Sequence, residues 1–267
     1  MPAESLSHPR QQAIVLSAEH SGNAIPPELR QRIVVPPKVL ASHRGYDRGS
    51  CEISLALGDQ LGITPILATY SRLVVDLNRS ESVAGVFSRY GQRLDNLERE
   101  RIFQQHYRPF RAAVRAAIEQ HLAAGHNVIH VSVHTFTPVL RGDRRSADIG
   151  LLFDPQRAAE SRLATRWRDT LLTLAPRLAV KFNYPYLGVD DGHTTSLRAI
   201  FSGSCYAGIE LEVNQAWARA GGRRFTTLLT TLSKSLECCF RSRETLFESN
   251  NSSVNAKASE SAKVEDS

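Results

Sequence analysis

Cysteine is scarce in this chain: four residues in 267, at Cys51, Cys205, Cys238 and Cys239. That scatter suits neither a disulfide framework nor a thiolate zinc site, because vicinal Cys238 and Cys239 lack the two-residue gap of a paired metal or redox motif. Buried, reduced thiols are the expected state. No apolar run approaches the roughly 20 residues that cross a bilayer, so no membrane span is expected. The first ten residues lack both an early positive cluster and an apolar stretch, which argues against a secretory signal and for the cytoplasm. Internal repeats and linkers rich in Pro, Gly or Ser are also missing, which favours one domain.

Charge of one sign is not concentrated either. Lys plus Arg number 33 against 27 Asp plus Glu, a net +6. The basic residues are spread along the chain, and the short clusters at Arg141, Arg144 and Arg145 and at Arg223 and Arg224 carry no interleaved aromatic residues of the kind that stack on bases. No nucleic-acid partner is expected, whereas a mildly basic surface suits a small anionic substrate. The last twenty residues, 248–267, hold six Ser and three Asn and almost no large apolar side chains. Such a segment cannot offset its ordering entropy. Residues 1–11 are expected to be flexible and 248–267 disordered, leaving 12–247 as a single α/β domain. A core of that size needs no metal to fold, so any metal serves chemistry.

What is present is an alternation of short β-rich runs and longer helical patterns. Residues 13–17, 64–70, 127–134, 148–153 and 206–213 read as strands, with a further apolar strand at 73–77. Helical periodicity covers 49–61, 94–124 with a break near Pro109, 158–178 and 224–241. Continuous apolar strands alternating with helices predict a three-layer α/β/α domain whose central sheet is covered on both faces.

Polar residues cluster just beyond the predicted strand ends, where open α/β sheets place ligands. His20 follows the first strand, with Gly22 freeing the backbone beside it, and His134 stands at the exit of the 127–134 strand. Asp47 lies between them in sequence, close to the start of a helix. Two imidazoles and one carboxylate from separate loops make a catalytic zinc set with one position left open. Spacings of 27 and 87 residues match no short motif, and a hydrogen-bonded structural histidine is the alternative at each position.

Taken together, the segments Glu19-His-Ser-Gly-Asn23, His43-Arg-Gly-Tyr-Asp-Arg-Gly49, Tyr70-Ser-Arg-Leu-Val-Val-Asp-Leu-Asn-Arg79, Ser132-Val-His-Thr-Phe136, Asp148-Ile-Gly150 and Gly208-Ile-Glu-Leu-Glu-Val213 resemble the N-formylglutamate amidohydrolase family. The resemblance spans roughly residues 13–215 and rests most on the 71–79 block. It implies a phosphorylase/hydrolase-like fold with a mixed, mostly parallel sheet, similar to zinc carboxypeptidases. The implied activity is zinc-dependent hydrolysis of N-formyl-L-glutamate or a related N-acyl amino acid, a small-molecule reaction of amino-acid metabolism such as histidine degradation. By the same likeness His20, Asp47 and His134 hold Zn2+ or another divalent ion, with Glu52 competing as acidic ligand and His43 placed to orient Asp47. Glu212 is the implied general base. Glu210 is the alternative, since period two puts both on one strand face. Arg72 and Arg79 are implied as carboxylate anchors, Asn78 as a hydrogen-bonding positioner, Asp76 as their support, and His193 as an oxyanion or carboxylate contact. A larger acyl or peptidyl substrate, or a basic binding protein on the same scaffold, are the competing readings.

Overall fold

The computed structural model describes residues 11–241 together with 246 and 247. The ends expected to be flexible or disordered fall outside these residues, apart from Gln11, whose carbonyl accepts from the Asn127 N–H at 2.8 Å. Strand β1 (Gln12–Ala18) leads to a short helix α1 (Pro37–Leu40), then α2 (Ser50–Leu61) and β2 (Ile66–Leu67). Helices α3 (Asn96–Ile102) and α4 (Arg108–Ala123) are joined by a π turn at Phe103–Tyr107. Next come β3 (Asn127–Phe136), the hairpin strands β4 (Val139–Leu140) and β5 (Asp143–Arg144), β6 (Ile149–Leu152) and α5 (Ala158–Leu174). The chain continues through β7 (Val180–Phe182), α6 (His193–Ile200), β8 (Tyr206–Asn214), α7 (Gln215–Ala220) and α8 (Gly222–Arg241).

The main sheet has the order β2-β1-β3-β8-β6-β7. All neighbours run parallel except β6 and β8. Helices α2, α5 and α8 cover one face and α4 and α6 the other, so the expected three-layer, mostly parallel architecture is what forms. The two faces differ in chemistry. Ile129, Val131 and Val133 of β3, with Ala207, Ile209, Leu211 and Val213 of β8, pack on the α2/α5/α8 side. Their alternate neighbours, His130, Ser132 and His134 on β3 and Glu210 and Glu212 on β8, face the other way and are also buried. These two strands therefore alternate, in contrast to the continuous apolar strands expected from the sequence. Trp167 on α5, fully buried, donates its Nε1–H to Ser235 on α8 at 2.8 Å and ties two covering helices together.

Several boundaries follow from local chemistry. Helix α2 ends at Gly62, and α4 at Ala123 just before Gly125, as the sequence suggests, because both glycines adopt positive φ. The break expected near Pro109 takes the form of the widened turn at Phe103–Tyr107 immediately before it, where the ring can sit without a hydrogen-bond clash. Helix α5 stops at Leu174, short of residue 178, because Pro176 cannot continue it. The expected strand at 64–70 shrinks to Ile66–Leu67, and 73–77 is not a strand. Turns close from Val74 N–H to Ser71 and from Arg79 N–H to Asp76. The apolar run exists because Val74, Val75 and Leu77 fill a separate small core with Val86, Leu94, Ile102 and Tyr107. All four cysteines are unpaired, and only Cys239 is buried. No helix among the described residues is long and apolar enough to cross a membrane.

Gly150 on β6 stands opposite Glu212 on β8. A Cβ there would lie 1.8 Å from the Tyr184 carbonyl oxygen and 3.3 Å from Glu212 Cβ. Gly150→Ala should therefore destabilise the fold by about 1–3 kcal/mol, as overpacking does, and urea denaturation checks it. An unchanged midpoint would mean that the Tyr184 backbone gives way freely.

Candidate active site

The carboxyl ends of β1, β3 and β8 converge on a cleft of about 370 Å³. Immediately after β1 the chain passes Glu19 and His20, both buried, and turns at Gly22. A side chain at Gly22 would sit 2.1 Å from the Thr69 carbonyl oxygen, so glycine is required for close approach to the 68–69 backbone. Asp47 is carried in by the loop before α2, and its N–H donates to the His20 carbonyl at 2.9 Å. His134 points from β3 to the same place. One donor atom from each of His20, Asp47 and His134 lies within 4.8 Å of the other two.

The contacts show which atoms face inward. His134 Nδ1 is 3.0 Å and His20 Nδ1 3.5 Å from Asp47 Oδ2. The opposite ring nitrogens are held from behind. His20 Nε2 sits 2.7 Å from Asp76 Oδ1, and His134 Nε2 lies 3.0 Å from Ser132 Oγ and 3.4 Å from Glu19 Oε2. His20 Nδ1 is buried without a hydrogen-bond partner among the described residues. An orphaned imidazole nitrogen, facing a carboxylate and a second imidazole and backed by a carboxylate on its other nitrogen, is the arrangement a divalent cation needs. These residues fit a metal, and an N2O donor set accepts zinc as well as several other divalent ions.

The electrostatics agree with that fit. Burial alone would raise the Asp47 carboxyl, but His20 and His134 beside it hold it well below the usual range. Burial would raise Asp76 too, and Arg72 and His20 hold it down more strongly still. Burial would lower His134, yet its hydrogen bonds to Asp47 and Glu19 push it well above the ordinary imidazole value. Without a cation, a second proton, on His134 Nδ1 facing Asp47, supplies the positive charge between two buried carboxylates, at the place a cation would take.

Glu212 pairs in register with His134, and Glu210 with Ser132. Both glutamates line the cleft. Burial pushes Glu212 up to about 8 and raises Glu210 as well. Oxygen Oε2 of Glu212 is buried with no hydrogen-bond partner among the described residues, so it is unencumbered for proton transfer. A cation beside it would favour the ionised form.

The remaining candidates divide. Arg72, Asn78 and Arg79 all line the cleft, because the 72–79 segment turns instead of running straight and so escapes the alternation of a strand. Arg79 is exposed and makes no ion pair among the described residues. Arg72 is largely committed: Nη2 reaches Asp76 Oδ2 at 2.7 Å and Nη1 lies 3.7 Å from Asp47. Asn78 accepts the His193 N–H on Oδ1 at 2.7 Å. His193 itself does not line the cleft. It is fully buried at the start of α6, with Nδ1 on Glu19 Oε1 at 2.9 Å, which departs from the expected substrate contact. Glu52 is exposed on α2, away from the cluster, so Asp47 is the acidic member. His43 is exposed on the cleft wall and makes no bond to Asp47, whose partners are His20, His134, Arg72 and the Thr135 N–H. It therefore does not orient Asp47. Partial desolvation against the cleft wall, with the positive charges of Arg219, Arg44, Arg145 and Arg72 nearby, lowers its pKa.

Sequence reasoning passed over Glu19, although it adjoins His20, because a carboxylate gives no sign of burial until its partners are known. Arg145, which the sequence shows only as part of a short basic cluster, packs against the cleft wall. Its guanidinium lies 5.6 Å from the Phe136 ring centroid and 5.1 Å from that of Tyr186, two residues of the cleft wall.

Residues 12–217 match the family described as N-formylglutamate amidohydrolase. This chain belongs to the N-formylglutamate amidohydrolase family. The match covers every residue of the cleft, from His20 to Glu212. Among solved structures, the gene product Atu2144 from Agrobacterium tumefaciens is 27% identical over 84% of this chain and 90% of its own, with a TM-score of 0.69. N-formylglutamate amidohydrolase from Ralstonia eutropha JMP134 is 19% identical over 86% of this chain and 94% of its own, with a TM-score of 0.65, and shares the fold. No curated protein matches the chain significantly. Membership of the N-formylglutamate amidohydrolase family makes this an amidohydrolase, with a cleft whose acids and imidazoles suit that chemistry.

Proposed function

We propose that this protein is a zinc-dependent amidohydrolase that cleaves an N-formyl or N-acyl amino acid, such as N-formyl-L-glutamate, to a carboxylate and the free amino acid. The observation that carries the reading is the meeting of two orphaned buried atoms in one cleft: His20 Nδ1 beside Asp47 and His134, and Glu212 Oε2 on the neighbouring strand position. His20, Asp47 and His134 would hold the ion, which when bound supplies a Lewis acid that polarises the acyl carbonyl and acidifies water at the site.

The chain's own groups complete the chemistry. Glu212 accepts a proton from the attacking water and delivers it to the amide nitrogen as the C–N bond breaks and the new C–O bond forms. Arg79, whose side chain makes no ion pair among the described residues, pairs with the substrate α-carboxylate, and Asn78 steadies it with its amide. Arg72 holds Asp76 and Asp47 and presents its remaining edge to a second substrate carboxylate. Arg79→Met should raise KM roughly 10–100-fold, the loss of a charged hydrogen-bonding partner, with a smaller change in kcat. Steady-state kinetics on N-formyl-L-glutamate checks it, and an unchanged KM would remove Arg79 from substrate binding.

One observation favours a larger acyl group as the second reading. Tyr186 and Leu187 of the cleft wall form an apolar rim, exposed to 45% and 55%. Metal analysis followed by amine release from a panel of formyl, acetyl, longer acyl and peptidyl amino acids separates the two. Release from the short acyl group alone supports the first reading, and preference for long chains the second. Absence of both metal and turnover would overturn the enzymatic reading in favour of a binding protein.

A further inference from the structure

Beneath the cleft lies a buried polar chain that none of the proposed catalytic steps uses. Glu19 is completely buried and accepts from every side: Ser17 Oγ at 2.8 Å and His193 Nδ1 at 2.9 Å on Oε1, and Ser132 Oγ at 2.5 Å on Oε2. His134 Nε2 lies 3.4 Å from the same Oε2. The chain continues outward through Ser17 Oγ to His130 Nε2 at 2.9 Å, and from His130 Nδ1 to the Tyr206 hydroxyl at 2.9 Å.

One arrangement of protons satisfies all of these contacts. A carboxylate only accepts, so Ser17, His193 and Ser132 must donate to it. Ser132 has then spent its proton on Glu19, and its oxygen can only accept from His134 Nε2, 3.0 Å away. Likewise Ser17 accepts from His130 Nε2–H, and His130 Nδ1 accepts from Tyr206 O–H. Burial pushes the His130 pKa down to about 3, which keeps that ring neutral as the arrangement requires. Asn78 Nδ2 also approaches His134 Nε2, but at 3.5 Å, and its orientation is set by the bond from His193 N–H to Oδ1. The full charge on Glu19, relayed by a short hydroxyl contact, outweighs it.

We infer that Glu19 is a positioning residue: its buried charge keeps the proton of His134 on Nε2, so that Nδ1 is the nitrogen offered between His20 and Asp47. Through His193 the same carboxylate anchors the start of α6, whose N–H is bound by Asn78 of the cleft wall. The cation ligand and the substrate-facing loop thus share one anchor. This inference rests on the metal reading above for its consequence, but its proton assignment stands without it.

The test uses Glu19→Gln in the full-length protein. An amide must turn its NH2 toward Ser132 or toward Ser17 and His193, so the three-donor arrangement cannot persist. The zinc dissociation constant, measured by competition with a chelating dye, should rise about 10–100-fold, the usual effect of losing a carboxylate behind a metal-bound imidazole. In 15N-histidine-labelled, metal-free protein, the wild type should show a protected Nε2–H signal from His134 that Glu19→Gln shifts or loses. Ser132→Ala, which removes the relay while leaving Glu19 charged, should move both readouts the same way and decides the matter if the first variant does not fold. Wild-type zinc affinity with an unaltered Nε2–H in a folded variant overturns the inference. If the wild type binds no zinc, the metal reading fails, and the Nε2–H signal alone still upholds or overturns the proton assignment.

Discussion

Glu212→Gln should lower kcat by about 10²–10⁴ while leaving zinc content and melting temperature close to wild type. The magnitude is that of a lost general acid/base, and the retention of structure follows from the site. Glutamine has the same volume as glutamate and is neutral, which suits a position where burial has already pushed the acid up to about 8. No described group hydrogen-bonds to Oε2, so no partner is left stranded by the change. Glu210→Gln is the control: it sits two residues earlier on the same strand face, opposite Ser132 instead of His134. Steady-state turnover with metal analysis on both variants decides between them, and a larger loss in the Glu210 variant would exchange their roles.

The second large effect is expected at His134. His134→Ala should emerge from dialysis without metal and without measurable turnover, since two of the three donors are left and the cluster loses the nitrogen nearest Asp47. Stability should fall as well. Removing the imidazole leaves Asp47 and Glu19 buried with reduced compensation, and breaking a buried ion pair from one side costs about 3–5 kcal/mol. Elemental analysis and thermal denaturation of the dialysed protein report the two effects separately. Stoichiometric zinc in the variant would mean that the cation sits elsewhere.

Much of this site could be read from residue order. His20 and His134 were legible because they follow apolar strands, and Asp47 because it precedes a helix start beside a glycine. The pairing of Glu210 with Glu212 followed from period two alone, and their common burial bears it out. The roles that depended on three-dimensional partners were not legible. His193 sits in a segment rich in Gly, Asp and Thr that reads as a turn, yet it begins α6 and is sealed against Glu19. The 73–77 run has the composition of a strand, but its apolar side chains fill a local core under turns, and only that irregular path lets Arg72, Asn78 and Arg79 share one cleft. The short strand β7 and the β4/β5 hairpin went unrecognised because two or three residues carry too little periodicity to detect.

The alternation along β3 and β8 has a practical corollary. Substitutions at Ile129, Val131, Ile209 or Leu211 meet the layer formed by α2, α5 and α8, whereas His134, Glu210 and Glu212 on the opposite face of the same strands line the cleft. Heat tolerance and turnover are thus written on opposite sides of the same two ribbons. A library confined to the first set could toughen the enzyme for use at elevated temperature while its chemistry is carried along unaltered.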